Sequence, residues 1–320
     1  MKIHILGTVN GQVNEGMRNV ATHISRCYEE NHVVVYSGLK QIGSILRNSL
    51  SADVTMIFAR ANKMVYWMTR FVEILCKNVW FVCVQRPDDD FQHLCEMRPL
   101  HCNYLAISKA DVDQVPCATG YTKFMFEVGI NLKKFRPVNA ENRRQLKIQY
   151  GIDPDKLLAV HVGHCSKGRG LEDFAHLDEQ RFERLVIASG MFEDENTVKF
   201  LEENGVRIHK GYLEHVEEIY QMADVYVFPT KSNEFVISIP LSVMEALACG
   251  TPAVGYQSFV NLQDISCVKG AIACIDSVEE LCEAACIQAQ SKQEASLLTN
   301  ALTWDDTATQ VLQMMESEKK

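Results

Sequence analysis

Twelve short, near-continuous apolar runs punctuate the chain and constrain its fold more than any other feature. KIHILG (2–7), VVVYSG (33–38), VTMIFAR (54–60), VWFVCV (79–84), YLAIS (104–108) and FMFEVG (124–129) form a first set. LLAVHVGH (157–164), RLVIASG (184–190), VRIHKG (206–211), VYVFP (225–229), PAVGY (252–256) and AIACI (271–275) form a second. A strand that alternates apolar and polar residues has one wet face, whereas a continuous apolar run is a strand covered on both. Covered strands separated by helix-length stretches require parallel sheets with crossovers over both faces, so each set predicts a doubly wound α/β domain.

Between the two sets lies INLKKFRPVNAENRRQLKIQYGIDPDK (130–156), polar and basic, with Pro137 and Pro154 bracketing a helix that Gly151 can end. This predicts a Rossmann-like N-terminal domain over 1–137 and a Rossmann-like C-terminal domain over 138–300. In 301–320, Leu302, Ala308, Val311, Leu312 and Met315 share one helical face, so this tail is expected to pack back on the body. Two such domains are expected to face each other across a cleft, the natural place for a ligand.

Composition sets the outer limits. With 47% hydrophobic and 23% charged residues the chain can bury substantial cores. A formal net charge of -9 argues against a nucleic-acid partner, which needs clustered Lys and Arg. The most apolar region, 54–84, is broken by Arg60, Lys63, Arg70, Glu73 and Lys77, short of the roughly 20 uninterrupted residues of a bilayer span. MKIHILG opens as a strand and not as a charged segment ahead of an apolar core. The 12 cysteines form no C-x-x-C pair, and Cys282 and Cys286 stand one helical turn apart without a nearby histidine cluster. Buried, reduced thiols in a cytoplasmic protein are expected, with no metal.

Four stretches, taken in order, carry a resemblance. EVGINLKKFRP (127–137) resembles a P-N-G-V-D-x-x-x-F-x-P linker, and HVGHCSKGRGLEDF (161–174) a V-G-R-L-x-x-x-K-G phosphate loop. LVIASG (185–190) stands where a strand ends in glycine, and GYLEHVEEIYQMADVYVFPT (211–230) with PLSVMEALACGTPAVG (240–255) supplies the remaining hallmarks. Together they resemble the retaining GT-B glycosyltransferases (glycosyl transferases group 1), typified by sucrose-phosphate synthase and bacterial mannosyl- and N-acetylglucosaminyltransferases. The resemblance implies the GT-B fold, two facing Rossmann-like domains with a cleft between them. It also implies hexosyl transfer from a nucleotide-sugar to an unidentified acceptor, the nucleotide-sugar being a substrate, with no cofactor.

The same resemblance implies a set of site residues. Gly16 follows GQVNE (11–15), where the family has a glycine-rich turn against the donor phosphates. Gly163 belongs to the phosphate loop, where His164 replaces the family's arginine, Arg169 its lysine, and Lys167 is a further cation. Gly190, Tyr212 and the backbone amides of Leu241 and Ser242 complete the donor-binding set. The family's E-x7-E places one carboxylate near the donor sugar and a second on the ribose hydroxyls. Glu245 matches the second, but the register puts Ile237 at the first, which leaves Glu234, three residues upstream, as the carboxylate that can turn toward the sugar. Arg169, Lys167 and Glu234 are therefore the catalytic candidates.

Several of these positions carry a rival reading. Ser242 to Glu245 is an S-x-x-E pattern, which predicts a capping box at a helix N-terminus. Family members carry a histidine after the fourth strand, where this chain has Gln85, Arg86 and Asp88. Asp88, Asp89 and Asp90 can hold a cation or form a solvated turn. In KMVYWMTRFVEILCKNVWF (63–81), Trp67, Phe71, Trp80 and Phe81 interleave with Lys63, Arg70 and Lys77, which describes either a buried helix with snorkelling cations or a peripheral membrane contact. His164, Ile237 and Gln85 together motivate a second reading of the whole chain, a GT-B protein that binds a nucleotide or glycan without turnover. A sugar epimerase or phosphorylase on the same fold finds less support in 240–255.

Overall fold

The computed structural model describes residues 1–7, 9, 16–188 and 193–318. All twelve apolar runs are strands. The first six are β1 (Lys2–Gly7), β2 (Val33–Ser37), β3 (Val54–Phe58), β4 (Val79–Cys83), β5 (Asn103–Ala106) and β6 (Lys123–Met125). They form a parallel sheet in the order β2-β1-β3-β4-β5-β6. The second six are β7 (Leu157–Gly163), β8 (Phe182–Ala188), β9 (Arg207–Lys210), β10 (Val225–Phe228), β11 (Ala253–Tyr256) and β12 (Ile272–Ile275). They form another parallel sheet, in the order β12-β11-β10-β7-β8-β9.

Helices alternate with the strands as the doubly wound reading requires. The first set has α1 (Gly16–Glu29), α2 (Ile42–Ser51), α3 (Lys63–Leu75), α4 (Asp89–Met97) and α5 (Lys109–Gln114). The second has α6 (Ala140–Gln149), α7 (Glu195–Glu203), α8 (Val216–Met222), α9 (Leu241–Ala248) and α10 (Leu281–Ala289), and α11 (Trp304–Ser317) follows. The chain divides into two compact units. One holds Met1–Gly129, Val236–Ile239 and the chain from Leu302 onward; the other holds Ile130–Phe235 and Pro240–Ala301.

In the first unit, the central strands β3 and β4 are buried throughout, while the edge strands β2 and β6 are half open. Phe81 of β4 lies 5.3 Å from Phe91 and 5.8 Å from Tyr104, ring to ring, and each such buried aromatic contributes about 1.5–3 kcal/mol. The stretch 63–81 thus divides in two. Trp80 and Phe81 are core residues of β4, whereas Trp67 on α3 is 53% exposed and Ile74 81%. The acidic run opens α4: Asp88 accepts the Phe91 amide at 2.8 Å, and Asp89 and Asp90 occupy the first turn, where the helix dipole favours negative charge. A Thr303–Asp306 capping box starts α11, which packs on α1 through a Tyr28 hydroxyl bond to the Ala308 carbonyl (3.0 Å) and a stack of His23 on Trp304 at 4.5 Å.

In the second unit, β7 lies between β10 and β8, and Val160 is in register with both Tyr226 and Leu185. The winding reverses at this pair, so the crossovers leave an opening beyond the C-terminal ends of β7 and β10. Buried Lys147 of α6 fastens the far side of the sheet. Its Nζ donates to Asp224 Oδ2 (2.6 Å) and to the Lys156 carbonyl (2.8 Å), and the Leu158 amide donates to the same carboxylate oxygen at 2.8 Å. Gly151, at φ +65°, turns the chain after α6, as its position in the sequence suggests.

Candidate functional site

The loops after β7 and β10 meet beyond the sheet. Gly170 has φ +69°, and a Cβ built on it would fall 2.3 Å from the Pro229 carbonyl oxygen, so glycine alone permits the approach. The Thr230 hydroxyl donates to the Arg169 carbonyl at 3.1 Å and ties the two loops together.

Arg169 lies beneath the first loop, only 6% exposed. A Cβ on Gly163 would meet Arg169 Nη2 at 2.8 Å and His161 Nε2 at 3.0 Å. The glycine at the end of β7 therefore makes room for a guanidinium. Burial lowers the Arg169 pKa to about 10, far above neutrality, so a fixed positive charge sits under the loop. His161 donates from Nδ1 to the Val227 carbonyl at 2.9 Å. Burial and then the Arg169 charge hold its pKa near 3. The same two causes, in that order, bring His164 to about 4. His164 is thus neutral at physiological pH. It cannot supply the second charge that the family's arginine would. Lys167 is exposed in the loop.

The second half of the site is the start of α9. Its N-cap is Pro240, whose carbonyl accepts the amides of Val243 (3.1 Å) and Met244 (3.3 Å). The amides of Leu241 and Ser242 take no acceptor among the described residues, and they point from the positive end of a helix. The expected capping box is absent, because the helix begins one residue before Ser242 and that side chain faces inward. Ser242 pairs with the Tyr226 hydroxyl at 2.8 Å, and Tyr226 also donates to the Val162 carbonyl at 3.2 Å.

Glu245, one turn on from Ser242, accepts the Tyr220 hydroxyl at 2.9 Å. Its second oxygen takes no hydrogen bond among the described residues, and the side chain remains partly exposed. Burial raises the Glu245 pKa to about 7, with the Tyr220 bond and then Lys134 opposing the rise and Glu217 adding to it.

The remaining candidates belong to other elements. Gly16 opens α1 in the first unit, where a Cβ would meet Ile237 Cδ1 at 2.8 Å. Ile237, the residue in the first-carboxylate register, is buried there. Glu234 is exposed on a short 3-10 turn, Asn233–Phe235. Tyr212 is exposed after the edge strand β9, two strands from β7. Gly190 and the turn at 11–15 lie outside the described residues.

His161, Tyr220 and Tyr226 were not legible as site residues. His161 and Tyr226 showed only as polar groups inside apolar runs, and Tyr220 as one more helical residue. In the fold they form a buried file: Phe135 meets Tyr220 at 5.9 Å, Tyr220 meets Tyr226 at 5.8 Å, and Tyr226 stacks on His161 at 5.9 Å. The site therefore offers a buried cation, two helix-terminal amides and a carboxylate with one oxygen committed, a set suited to a diphosphate joined to a hydroxyl-rich group.

Comparison with known proteins bears on this chemistry. The sequence profile of the glycosyl transferases group 1 family matches residues 169–289. Alpha-galactosylglucosyldiacylglycerol synthase of Streptococcus pneumoniae is 26% identical over 133 residues, 38% of this chain and 34% of that protein. A GDP-mannose-dependent phosphatidylinositol dimannoside mannosyltransferase of Mycobacterium tuberculosis is 27% identical over 192 residues, 52% of this chain and 47% of that one. The match spans a third to about half of these relatives' length. Among solved structures, Anabaena Alr3699/HepE in complex with UDP and glucose superposes with a TM-score of 0.79 at 12% identity, over 99% of this chain and 100% of that one. Sucrose-phosphate synthase from Thermosynechococcus elongatus does so with a TM-score of 0.75 at 13% identity, over 99% of both. Two Rossmann-like units in this order make the fold GT-B.

Proposed function

We propose that the chain is a glycosyltransferase that moves a hexosyl group from a nucleotide-sugar to an acceptor with retention of configuration. The observation that carries this reading is the grouping of Arg169, the α9 amides and half-committed Glu245 around the point where the sheet order reverses. The donor diphosphate lies over the Gly163–Gly170 loop and accepts from the amides of Leu241 and Ser242. Glu245 takes the ribose hydroxyls. The bond from the sugar's anomeric carbon to the diphosphate breaks, and the acceptor oxygen bonds that carbon from the same face. Its proton passes to the departing phosphate oxygen. Arg169 and the helix amides stabilise the charge that develops on the leaving group. Glu234 reaches the sugar in place of the missing first carboxylate. Incubation with UDP- and GDP-sugars tests the reading through binding and slow release of nucleoside diphosphate.

A donor-binding protein without turnover is the second reading. It draws on neutral His164 and on Ile237, buried against Gly16 where the family has a carboxylate. Tight binding with no release of nucleoside diphosphate, whatever the donor, would favour it.

The acceptor side of the proposal is lipid. Ile42, Leu46 and Leu50 on α2 and Met64, Trp67 and Ile74 on neighbouring α3 are exposed large hydrophobics at helical spacing. From Gly38 to Lys77 the chain carries six Lys and Arg against Asp53 and Glu73, although its overall charge is -9. An apolar stripe among cations suits an anionic bilayer surface. The names of the pneumococcal and mycobacterial relatives contain lipid acceptors, which agrees with it. Sedimentation with phosphatidylglycerol vesicles but not phosphatidylcholine vesicles, lost in Trp67→Glu/Ile74→Glu, is the expected outcome.

A further inference from the structure

Glu245 accepts from one side chain, Tyr220, whose ring and backbone are both held. The ring of Tyr220 is fully buried between Phe135 (5.9 Å) and Tyr226 (5.8 Å). Its backbone carbonyl accepts Thr251 Oγ1 at 2.6 Å and Lys292 Nζ at 3.3 Å, at the far end of α9. The phenol is packed on both sides, and its hydroxyl reaches the carboxylate at 2.9 Å. We propose that Tyr220 is the positioning residue of the donor site. By occupying one oxygen of Glu245 it fixes the plane of the carboxylate and reserves the other oxygen for a vicinal diol.

This inference rests on the nucleotide-sugar reading for its ligand, the ribose diol. A carboxylate has about four lone-pair directions. Left unheld, Glu245 rotates and loses selectivity for two adjacent hydroxyls; held by a rigid phenol, it presents a defined acceptor edge. The bond also favours the charged carboxylate, because a hydrogen bond from a neutral donor stabilises the anion. The groups facing Glu245 are Tyr220 and Glu217 from α8, Lys134 from the turn before α6, Tyr226 from β10 and Cys249 at the end of its own helix. Lys134 pairs with Glu217 at 3.2 Å, so much of its charge is already compensated. Burial keeps the phenol's pKa well above its usual value. Tyr220 therefore stays neutral and acts only as a donor.

The test is Tyr220→Phe, which keeps the ring and its packing and removes the donor. UDP and GDP binding is measured from pH 6.5 to 9 beside the matching 2′,3′-dideoxynucleoside diphosphates, with Glu245→Gln as the control. Loss of a charge-assisted bond predicts about a tenfold fall in ribonucleotide affinity near pH 7. The deficit should shrink toward pH 9 as the carboxylate ionises but not vanish, because an unheld carboxylate stays misoriented at every pH, while the dideoxy ligands bind the variant and wild type alike. Glu245→Gln should show no recovery with pH. A carbon-13 titration of labelled glutamate supplies a readout without nucleotide, and the Glu245 signal should titrate at higher pH in the variant. Equal losses for ribo and dideoxy ligands at every pH, or an unmoved titration, would overturn the Tyr220 assignment while leaving the donor reading intact. Wild-type protein that binds neither UDP nor GDP would overturn the donor reading, and the diol role of Tyr220 with it.

Discussion

Ile237 fills the space that a side chain on Gly16 would need: its Cδ1, Cγ1 and Cγ2 stand 2.8, 3.0 and 3.1 Å from where that Cβ would be. A methyl group there is overpacked. Gly16→Ala should lower stability by about 1 kcal/mol, the crowding outweighing the gain from a stiffer unfolded chain. In an Ile237→Ala background the same change should be neutral or stabilising. Urea unfolding of the four proteins decides it, and an equal loss in both backgrounds would sink the contact as the cause.

Lys147 and Asp224 form a buried pair at 2.6 Å, with Arg143 also 3.5 Å from Asp224. Lys147→Ala leaves a buried carboxylate with a weaker cation and one amide donor. Loss of one partner of a buried pair costs about 3–5 kcal/mol, and Arg143 should hold this case to about 3. Chemical denaturation measures the loss, whereas Arg144→Ala, at a surface pair with Asp155, should change stability by less than about 0.5 kcal/mol.

Glu245 gives the site a pH dependence with a definite sign. Its folded pKa of about 7 lies above the ordinary carboxylate value, so the folded state prefers the protonated form. That preference contributes fully below the ordinary value, fades as pH rises, and is gone above about 7. Glu245→Gln should therefore be neutral at pH 4 and stabilising at pH 8.5. Allowing for its partial exposure, the gain should be about 1–2 kcal/mol. Nucleotide affinity should run the other way, weakening in wild type as pH falls below 7. A pH-independent difference in melting temperature between the two proteins would contradict the assignment.

Arg169 carries the fixed charge of the site. If it stabilises the departing diphosphate, Arg169→Gln should lower kcat by about 10²–10³-fold, with a smaller change in donor KM. Steady-state kinetics with the donor that proves active supplies the measure, and an unchanged kcat would remove Arg169 from the mechanism.

The sheets were legible because a strand covered on both faces must be apolar at nearly every position; VWFVCV and VYVFP could be little else. Of the candidate site, chain order alone singled out the Gly163–Gly170 loop and Glu245; the contacts that hold them were not visible in it. S-x-x-E at 242–245 suggested a capping box, yet Pro240 takes the cap position and its carbonyl closes the first turn, so Ser242 is two residues too far inside. The run 63–81, which read as either a buried helix or a membrane contact, crosses from helix to strand, which buries Trp80 and exposes Trp67. Tyr220 escaped notice for a different reason. Its partner is 25 residues away, and nothing local distinguishes a tyrosine that holds a carboxylate from one that fills a core.

The return of α11 to α1 also sets an order of events during synthesis. The face of α1 that carries His23 and Tyr28 has to wait for Trp304 and Ala308, which the ribosome makes only after the entire second sheet. The unit translated first is thus the one completed last, and until then the nascent chain carries an uncovered helix that chaperones would be expected to find.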